Sequence, residues 1–306
     1  MNYKITVFGA KDTTYEIIEY IENNLEKIDL IVTIDESVLE NNNVAGFKSL
    51  KILAKKYHIN IFETKDYTMQ DEASQYFFEN NEFELGISMG WQRLIPEYIL
   101  EHYKYGIFGF HGSCGYLPYG RGRSPMNWSV INGDSRFIMN LFRYDKAADS
   151  PNVFDNIMFE INDFDTIRTL QYKNILCAKD LISRLLNAYR SNTIMIKTET
   201  HDFDLWYKKR DAKDGRIYFG WKTTEIYNLI RGVTKPFPGA FAYVNEEKVT
   251  IWNAVPFDRM LDFSGYCPGE VIDIFDGRPI IRTVDGSLLI IEYESILELK
   301  QRDVLK

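Results

Sequence analysis

The chain has 306 residues, of which 45% are apolar and 26% are charged, with 36 basic and 44 acidic side chains. This length predicts about two domains of ordinary size, and the apolar content excludes an intrinsically disordered chain. The net charge of −8 argues against broad binding to nucleic-acid phosphates.

The apolar runs and the cysteines indicate a cytoplasmic protein. No apolar run is long enough to span a bilayer, and the first residues, MNYKITVFGAKD, lack the features of a secretion signal. Cys114, Cys177 and Cys267 stand alone, with no CxxC pair, so we expect reduced thiols and no metal site. Neither a membrane nor a nucleic acid is expected as a partner.

Short apolar runs alternate with amphipathic stretches through about the first 110 residues. Strands that alternate with helices in this way predict a Rossmann-like parallel sheet joined by right-handed crossovers. The first strand runs into FGAKDT, which has one glycine where a dinucleotide site requires GxGxxG, so no nucleotide cofactor is predicted at that turn. The predicted strands cover residues 5–8, 30–34, 60–62, 84–88 and 106–110, and the predicted helices 14–25, 50–57 and 73–80.

Beyond Pro236 the chain changes to short strands and turns. The hairpin signals Asp276-Gly277 and Asp285-Gly286 predict a small, partly open β-barrel of the oligonucleotide-binding type. We therefore predict an α/β protein with a large domain over 1–190, a linker and helix over 191–235 and a barrel over 236–306. The other predicted elements are helices over 124–133, 166–189 and 225–231, and strands over 137–143, 156–161, 242–244, 248–254, 270–275, 279–283 and 288–293.

The segment richest in candidate chemistry covers residues 105–133, YGIFGFHGSCGYLPYGRGRSPMNWSVING. Its strand Gly106–Phe110 runs into His111, and a loop rich in glycine and proline follows before a helix that Ser124 can cap. Ligands of open α/β sheets bind at the carboxyl ends of strands, and an imidazole there can move protons at neutral pH. A histidine at a strand end is also often a hydrogen-bonded structural residue, so this pattern alone leaves both interpretations open.

This segment resembles the signature of the formyltransferases that use 10-formyltetrahydrofolate. The matching pattern is HGSxxxLPxxRGRSPxNWxxxNG, from His111 to Gly133. The resemblance extends upstream to LGISMGWQRLIP and downstream to FRYDKAADSPNVFDNIMFEINDFDT, KRDAKDGRIYFGW and LIRGVTKPFPGAFAYV, so it covers nearly the whole chain. The pieces HGS, RGR, NW and PFPGAFAYV are most similar to the members that act on nucleotide-linked aminosugars such as UDP-4-amino-4-deoxy-L-arabinose.

The resemblance implies an N-formyltransferase active in surface-glycan synthesis. The amine of a nucleotide-linked 4-amino-deoxysugar would attack the formyl carbon of 10-formyltetrahydrofolate. His111 would handle protons, and Asp149 would orient His111 and favour its charged form. The pair Asp165-Thr166 would open a helix. No metal is implied, and a homodimer is among the assemblies that the family allows.

The same resemblance places the two ligands on separate stretches of chain. The cofactor loop comprises Met89, Gly90, Trp91, Gln92, Arg93 and Leu94. It would line a pteridine pocket, largely through backbone hydrogen bonds. The acceptor would meet Tyr119, Arg121 and Arg123, because a guanidinium can bind a nucleotide diphosphate through two hydrogen bonds. Solvated loop charges are the alternative for both arginines, and for the rings of Trp91 and Trp128 packing is favoured over stacking on a ligand.

Three departures from the family pattern lie around this site. The asparagine that the family carries two residues before the histidine is Gly109 here, and loss of one oxyanion donor typically costs about 10²–10³ in turnover. Ser113, the backbone N–H groups around Gly112 and Asn127 are the candidates to replace it, and the sequence does not choose among them. The loop GSCGYLPYGRG is longer than the family's, and ADSPN lacks the glycine usual after the aspartate.

Two further functions are weighed against aminosugar formylation. Residues 200–306 carry 15 basic and 17 acidic side chains, whereas a domain that grips initiator methionyl-tRNA should be basic, so tRNA is the less favoured acceptor. With Gly109 in place of asparagine, the chain could also be a catalytically weak relative that holds folate or sugar without turnover. Retention of His111 and Asp149 favours an active enzyme. The sequence leaves both UDP and dTDP sugars open.

Overall fold

The computed structural model describes residues 1–39, 46–146, 152–198 and 205–306. Packing divides the chain into two compact units, each assembled from three stretches of sequence. The first unit comprises residues 1–121, 138–158 and 174–205, and the second comprises 122–137, 159–173 and 206–306. The divisions predicted at residues 190 and 235 would instead cut the chain into continuous pieces.

The strands and helices follow the predicted alternation. In chain order the strands are β1 (Asn2–Phe8), β2 (Leu30–Ile34), β3 (Asn60–Thr64), β4 (Glu82–Ser88), β5 (Tyr103–Ser113), β6 (Arg121–Gly122), β7 (Arg136–Arg143), β8 (Asn152–Glu160), β9 (Lys197–Thr198), β10 (Trp206–Tyr207), β11 (Ala240–Val244), β12 (Glu247–Asp258), β13 (Val271–Phe275), β14 (Arg278–Arg282) and β15 (Ser287–Glu294). Among the described residues the α-helices are α1 (Asp12–Asn24), α2 (Lys51–Tyr57), α3 (Glu72–Glu79), α4 (Glu97–Glu101), α5 (Pro125–Asn132), α6 (Ile167–Arg190) and α7 (Thr223–Val233).

The first unit is built around an eight-stranded sheet in the order β3-β2-β1-β4-β5-β7-β8-β9. Strands β1 to β5 pair in parallel, which confirms the predicted Rossmann-like sheet. Strand β2, LIVTI, is buried at every residue, as expected of a strand covered on both faces. Helix α1 buries Ile17, Ile18 and Ile21, the apolar stripe from which the sequence predicted it.

An aromatic cluster packs against the parallel strands. The Phe83 ring stacks on Tyr3 with 5.5 Å between ring centroids and on Tyr103 with 4.9 Å. Phe8 and Phe78 are fully buried and stack with their centroids 6.3 Å apart. Such pairs add about 0.5–1.5 kcal/mol each beyond the burial of their area. The cluster therefore holds β1, β4 and β5, the strands that carry the candidate site, against α3.

Strand β5 is longer than the sequence predicted, which changes the surroundings of His111. The prediction ends the strand at Phe110, whereas β5 continues to Ser113. Pairing with β4 stops at Ser88 opposite Gly109, but antiparallel pairing with β7 continues to the end of β5. Glycine-rich sequence predicts a loop because glycine weakens a strand, and the neighbouring strand β7 compensates for this weakness. His111 therefore lies inside a strand, just beyond the last residue pair with β4.

The second unit contains a five-stranded antiparallel sheet in the order β11-β12-β15-β14-β13, which confirms the predicted C-terminal β domain. The segment after β15 adds a further pairing. Tyr243 of β11 exchanges two backbone hydrogen bonds with Lys306, at 2.9 and 2.8 Å. At the other edge, Val271 of β13 accepts a bond from the Arg302 N–H and donates one to the Asp303 carbonyl. One segment thus covers both edge strands, which gives the sheet a barrel-like closure.

Helix α7 belongs to this second unit. Its residues Ile226, Leu229, Ile230 and Val233 are buried and share one hydrophobic core with residues of β11, β12 and β15. The sequence assigns this helix to a linker that ends at residue 235. The structure shows instead that the unit begins before that boundary, because the apolar face of α7 completes the core of the sheet.

Asp165 and Thr166 directly precede α6, as the predicted helix start requires. The buried carboxylate accepts hydrogen bonds from the Asn162 N–H at 2.9 Å, the Thr169 hydroxyl at 2.8 Å and the Lys173 ammonium at 2.5 Å. Burial raises the pKa of the Asp165 carboxyl, but these hydrogen bonds outweigh burial and leave the pKa below its ordinary value. Folding of the second unit therefore favours the charged carboxylate.

We expect Asp165→Asn to destabilise the second unit by about 2 kcal/mol at pH 7, the usual size of a lost charge-assisted hydrogen bond. Because the folded pKa is lowered, the stabilisation is present above the unfolded pKa of about 3.9 and is lost as the pH falls through the folded value. The difference between variant and parent should therefore shrink below about pH 4. Urea unfolding followed by tryptophan fluorescence measures this difference, since the second unit holds Trp128, Trp206, Trp221 and Trp252.

Asp163→Asn is the matched control, because the Asp163 side chain is exposed and lies on the same turn. Its effect should stay within about 0.5 kcal/mol at both pH values. If Asp165→Asn instead remained equally destabilised relative to the parent at about pH 3, charge would not be the source of the stabilisation, and the shape of the side chain would have to explain it.

Candidate active site

The loop Met89–Leu94 follows β4 at the carboxyl edge of the parallel strands. The Thr14 hydroxyl donates a hydrogen bond to the Met89 carbonyl, and the Gln92 N–H donates one to the Tyr67 hydroxyl at 3.0 Å. Between these anchors Gly90 adopts φ +81°, and a Cβ there would lie 2.7 Å from the Thr14 hydroxyl oxygen. Only glycine fits this conformation without displacing the anchor. The loop backbone is therefore held in a defined position.

The side chains of this loop divide into two groups. Met89 and Trp91 are buried, and the Trp91 ring makes an edge contact with the Tyr67 ring at 4.6 Å between centroids. The Arg93 guanidinium lies 5.0 Å from the centroid of the same Tyr67 ring, and Leu94 is 65% exposed. The Trp91 ring thus packs in the core, the interpretation that the sequence favours for it. The backbone and the side chains at the end of the loop remain near solvent.

His111 is half-buried on β5, opposite Asn140 of β7. Its Nε2 lies 2.8 Å from the carbonyl oxygen of Gly120, in the loop that follows the strand. A carbonyl oxygen only accepts hydrogen bonds, so Nε2 carries a proton in this arrangement. The strand and the loop together hold an oriented imidazole that can take up a proton.

Ser113 and Asn127, the side chains that the sequence suggests as replacements for the missing asparagine, both hold structural hydrogen bonds. The Ser113 hydroxyl is buried and lies 2.9 Å from the Gly115 carbonyl and 2.8 Å from the Tyr119 carbonyl. It therefore closes the loop after β5. In the second unit, the buried Asn127 amide donates to the Gly232 carbonyl at 2.8 Å. Both donors are thus engaged in positioning the backbone.

The space beside Gly109 is filled by a residue that the sequence did not single out. Gly109 pairs with Ser88 of β4 and with Phe142 of β7. A Cβ built at Gly109 would lie 2.1 Å from the hydroxyl oxygen of Tyr144 and 2.2 Å from two of its ring carbons. The phenol therefore occupies the place where any side chain at position 109 would begin. The only signal in the sequence was that Tyr144 directly follows β7, and register cannot be read from one strand alone.

The residues predicted to meet the acceptor are divided between the two units. Tyr119 and Arg121 are half-buried in the first unit, where the Tyr119 ring lies 2.7 Å from the place of a Cβ at Gly115. Arg123 belongs to the second unit, is exposed, and donates its backbone N–H to a carbonyl of β10 at 2.9 Å. Asp149, which the resemblance pairs with His111, lies outside the described residues.

The described residues bring together an imidazole, a strand with a glycine at a close approach, and an anchored loop at one edge of a sheet. Such a set can move a proton and hold a planar polar molecule through backbone groups. Across the described ranges, no group of three or more His, Cys, Asp or Glu side chains is placed to hold a metal ion. In those same parts of the chain, no helix combines the length and the apolar character needed to cross a membrane.

Sequence comparison with known proteins finds a formyltransferase domain and a curated relative. The family described as "Formyl transferase, C-terminal domain" matches residues 209–301. The chain is 29% identical over 272 residues to the bifunctional polymyxin resistance protein ArnA of Wigglesworthia glossinidia brevipalpis, which covers 88% of this chain and 40% of that protein. The chain therefore spans less than half the length of this curated relative.

Solved structures share the fold. An N-formyltransferase from Helicobacter canadensis, in complex with folinic acid and dTDP-3-aminofucose, matches with a TM-score of 0.67 and 19% identity over 95% of this chain and 99% of that one. HypX from Aquifex aeolicus, in complex with tetrahydrofolic acid, matches with a TM-score of 0.65 and 15% identity over 96% of this chain and 44% of that one. The two sequence matches and the shared fold thus make this chain similar to formyltransferases.

Proposed function

We propose that this chain is a cytoplasmic N-formyltransferase that moves a formyl group from 10-formyltetrahydrofolate to the amine of a nucleotide-linked 4-amino-deoxysugar destined for a surface glycan. The observation that carries the proposal is the oriented imidazole of His111, at the same sheet edge as the anchored loop Met89–Leu94. The Helicobacter relative binds folinic acid and an aminosugar linked to dTDP, and HypX binds tetrahydrofolic acid. These ligands support both substrate classes.

The loop Met89–Leu94 is the proposed folate site. A pterin is flat and carries several hydrogen-bond donors and acceptors along one edge, which suits a loop that offers backbone groups in fixed positions. Hydrogen bonds with Thr14 and Tyr67 fix the backbone of this loop, and the buried rings of Tyr67 and Trp91 pack against each other. The loop needs little reordering to bind a flat ligand, so little binding energy is lost.

His111 is the proposed proton carrier. As the amine nitrogen attacks the formyl carbon, one carbonyl electron pair moves to the formyl oxygen, and the imidazole accepts the proton that the amine loses. When the carbonyl bond forms again, the bond from carbon to the folate nitrogen breaks, and that nitrogen receives the electron pair and the proton from His111. Help of this kind is usually worth about 10²–10⁴ in rate. Asp149 is proposed to orient His111, on the resemblance alone.

Tyr119, Arg121 and Arg123 are the proposed contacts of the nucleotide diphosphate. The two guanidinium groups match the charge and the geometry of phosphate oxygens. The acidic balance of residues 200–306, 15 basic against 17 acidic side chains, supports a small acceptor over a tRNA. Nothing in this balance distinguishes UDP from dTDP, so both kinds of sugar belong in the first assay.

The purified chain, incubated with 10-formyltetrahydrofolate and a panel of UDP- and dTDP-linked aminosugars, should add one formyl group to one of the sugars, which mass spectrometry detects. His111→Ala should lower this turnover by about 10²–10⁴, because the proton carrier is lost. The unfolding midpoint should change little, since the half-buried ring is removed from a strand whose backbone pairing remains.

His102→Ala is the matched control, because His102 is also half-buried and its Nδ1 lies 2.6 Å from a backbone carbonyl, that of Tyr98. This control should keep the parent's turnover. A His111→Ala variant as active as the parent would contradict the proposed mechanism. Formylation of charged initiator tRNA, with none on any sugar, would contradict the proposed acceptor.

Gly90→Ala tests the folate loop. The added methyl would meet the Thr14 hydroxyl that anchors Met89, so binding of folinic acid should weaken by about tenfold or more, as titration calorimetry can measure. Gly46→Ala is the control, because Gly46 also has a positive φ, +70°, but nothing lies within 4 Å of an added Cβ. Equal affinities in the two variants would show that the loop does not bind folate.

A further inference from the structure

Gly109 and Tyr144 form a complementary pair on adjacent strands. The phenol fills the space at Gly109 so closely that its hydroxyl oxygen lies 2.1 Å from the place of a Cβ. A glycine inside a strand is unfavourable unless another group uses the space that it leaves. Here that group is polar at its tip and apolar elsewhere. The Tyr144 side chain, which comes from the segment directly after β7, therefore takes the place of a side chain at position 109 of β5.

The sheet register places Tyr144 on the same face as His111. Phe142 lies directly opposite Gly109 in the antiparallel pair, so their side-chain positions share a face. The Tyr144 N–H continues this pairing with a 2.8 Å hydrogen bond to the Ile107 carbonyl. Since side chains alternate along a strand, Tyr144 shares the face of Phe142, and His111 shares that of Gly109. The phenol tip, which lies at Gly109, and His111 are thus on one face, two residues or about 7 Å apart along β5.

The hydroxyl of Tyr144 also reaches the start of the proposed folate loop. It donates a hydrogen bond to the Ser88 hydroxyl at 3.3 Å. Ser88 is buried, ends β4 and directly precedes Met89. At 3.3 Å this hydrogen bond is long for one between two hydroxyl groups. The hydroxyl therefore lies at the level where the loop leaves β4, at a strand position two residues before His111 on β5.

We infer that Tyr144 is a catalytic residue, whose hydroxyl donates a hydrogen bond to the formyl oxygen as negative charge develops there. This inference rests on the proposed function. The phenol keeps its proton throughout, while the proton lost by the amine passes through His111 to the folate nitrogen, so the step remains balanced. The absence of a side chain at Gly109 lets the phenol lie directly against the strand, so its oxygen is closer to the backbone than the amide of an asparagine at 109 would be.

The Tyr144 ring also has a structural role, which the test must separate from the hydroxyl. The ring lies 5.3 Å from the Phe142 ring and packs on a small core of Leu117, Phe142 and Val153. Tyr144→Phe keeps this packing and removes the hydroxyl alone. We expect the fold of the variant, followed by its unfolding midpoint, to be preserved, because the carbon skeleton is unchanged and the lost bond to Ser88 is long.

The decisive measurement is the kcat and KM of Tyr144→Phe for formyl transfer. An oxyanion donor acts in the transition state, so kcat should fall by about 10²–10³ while both KM values change by less than about threefold. Tyr20→Phe is the matched control, because the Tyr20 hydroxyl also bonds a serine hydroxyl, that of Ser183, at 2.9 Å, and it lies on α1 away from the site. This control should keep the parent's kcat.

A second set of variants tests whether an asparagine side chain at position 109 can replace the Tyr144 hydroxyl. Gly109→Asn alone should lose activity, because its Cβ would collide with the phenol. In the presence of Tyr144→Ala the amide has room, so the double variant should transfer formyl faster than Tyr144→Ala alone. A double variant no faster than Tyr144→Ala, or a fully active Gly109→Asn, would overturn the inference.

The outcomes separate this inference from the proposed function. If the parent transfers formyl to an amine and Tyr144→Phe keeps its kcat within about threefold, the inference is wrong and the proposed function stands. If the parent transfers formyl to no amine, the proposed function is wrong, and the inference is wrong with it. A selective fall in kcat in Tyr144→Phe, with Tyr20→Phe unaffected, supports both.

Discussion

The pairing of β5 with two neighbours of opposite direction is the constraint on which the site depends. Parallel pairing with β4 ends at Ser88 and Gly109, which sets the level at which the loop after β4 leaves the sheet. Antiparallel pairing with β7 carries the same strand past that level to Ser113. A slip of one residue in either register would turn His111 to the opposite face of the sheet. The loop, the glycine and the histidine are therefore set by one arrangement of backbone hydrogen bonds.

Much of the fold follows from local patterns in the sequence. The strand predicted over residues 30–34 is observed at those residues, because a run such as LIVTI has no stable place except a buried strand. The pair Asp165-Thr166 directly precedes a helix, as the resemblance implies. The extension of β5 beyond Phe110 could not be predicted, since the residues that pair with it come about 30 positions later in β7. The place of α7 depends on a core that only the folded sheet creates.

Within the site, the resemblance identified His111 and the loop after β4, and the sequence could not go further. Ser113 and Asn127 were sound candidates by chemistry, because a hydroxyl and an amide both donate hydrogen bonds. The structure shows that each donor already holds a backbone carbonyl. Tyr144 was missed because its relation to Gly109 runs across two strands, and a diagonal neighbour is defined by register rather than by spacing along the chain.

The division of the chain between the two units bears on the order in which the protein can fold during synthesis. The chain passes from one unit to the other five times, at residues 121, 137, 158, 173 and 205. When residue 205 has been made, every part of the first unit exists, but the second unit has only 122–137 and 159–173. Those stretches share a small core, and Ile131 packs against the large core that α7 and the C-terminal strands provide. That apolar surface must therefore wait for the last third of the chain, a period in which it is open to misassociation.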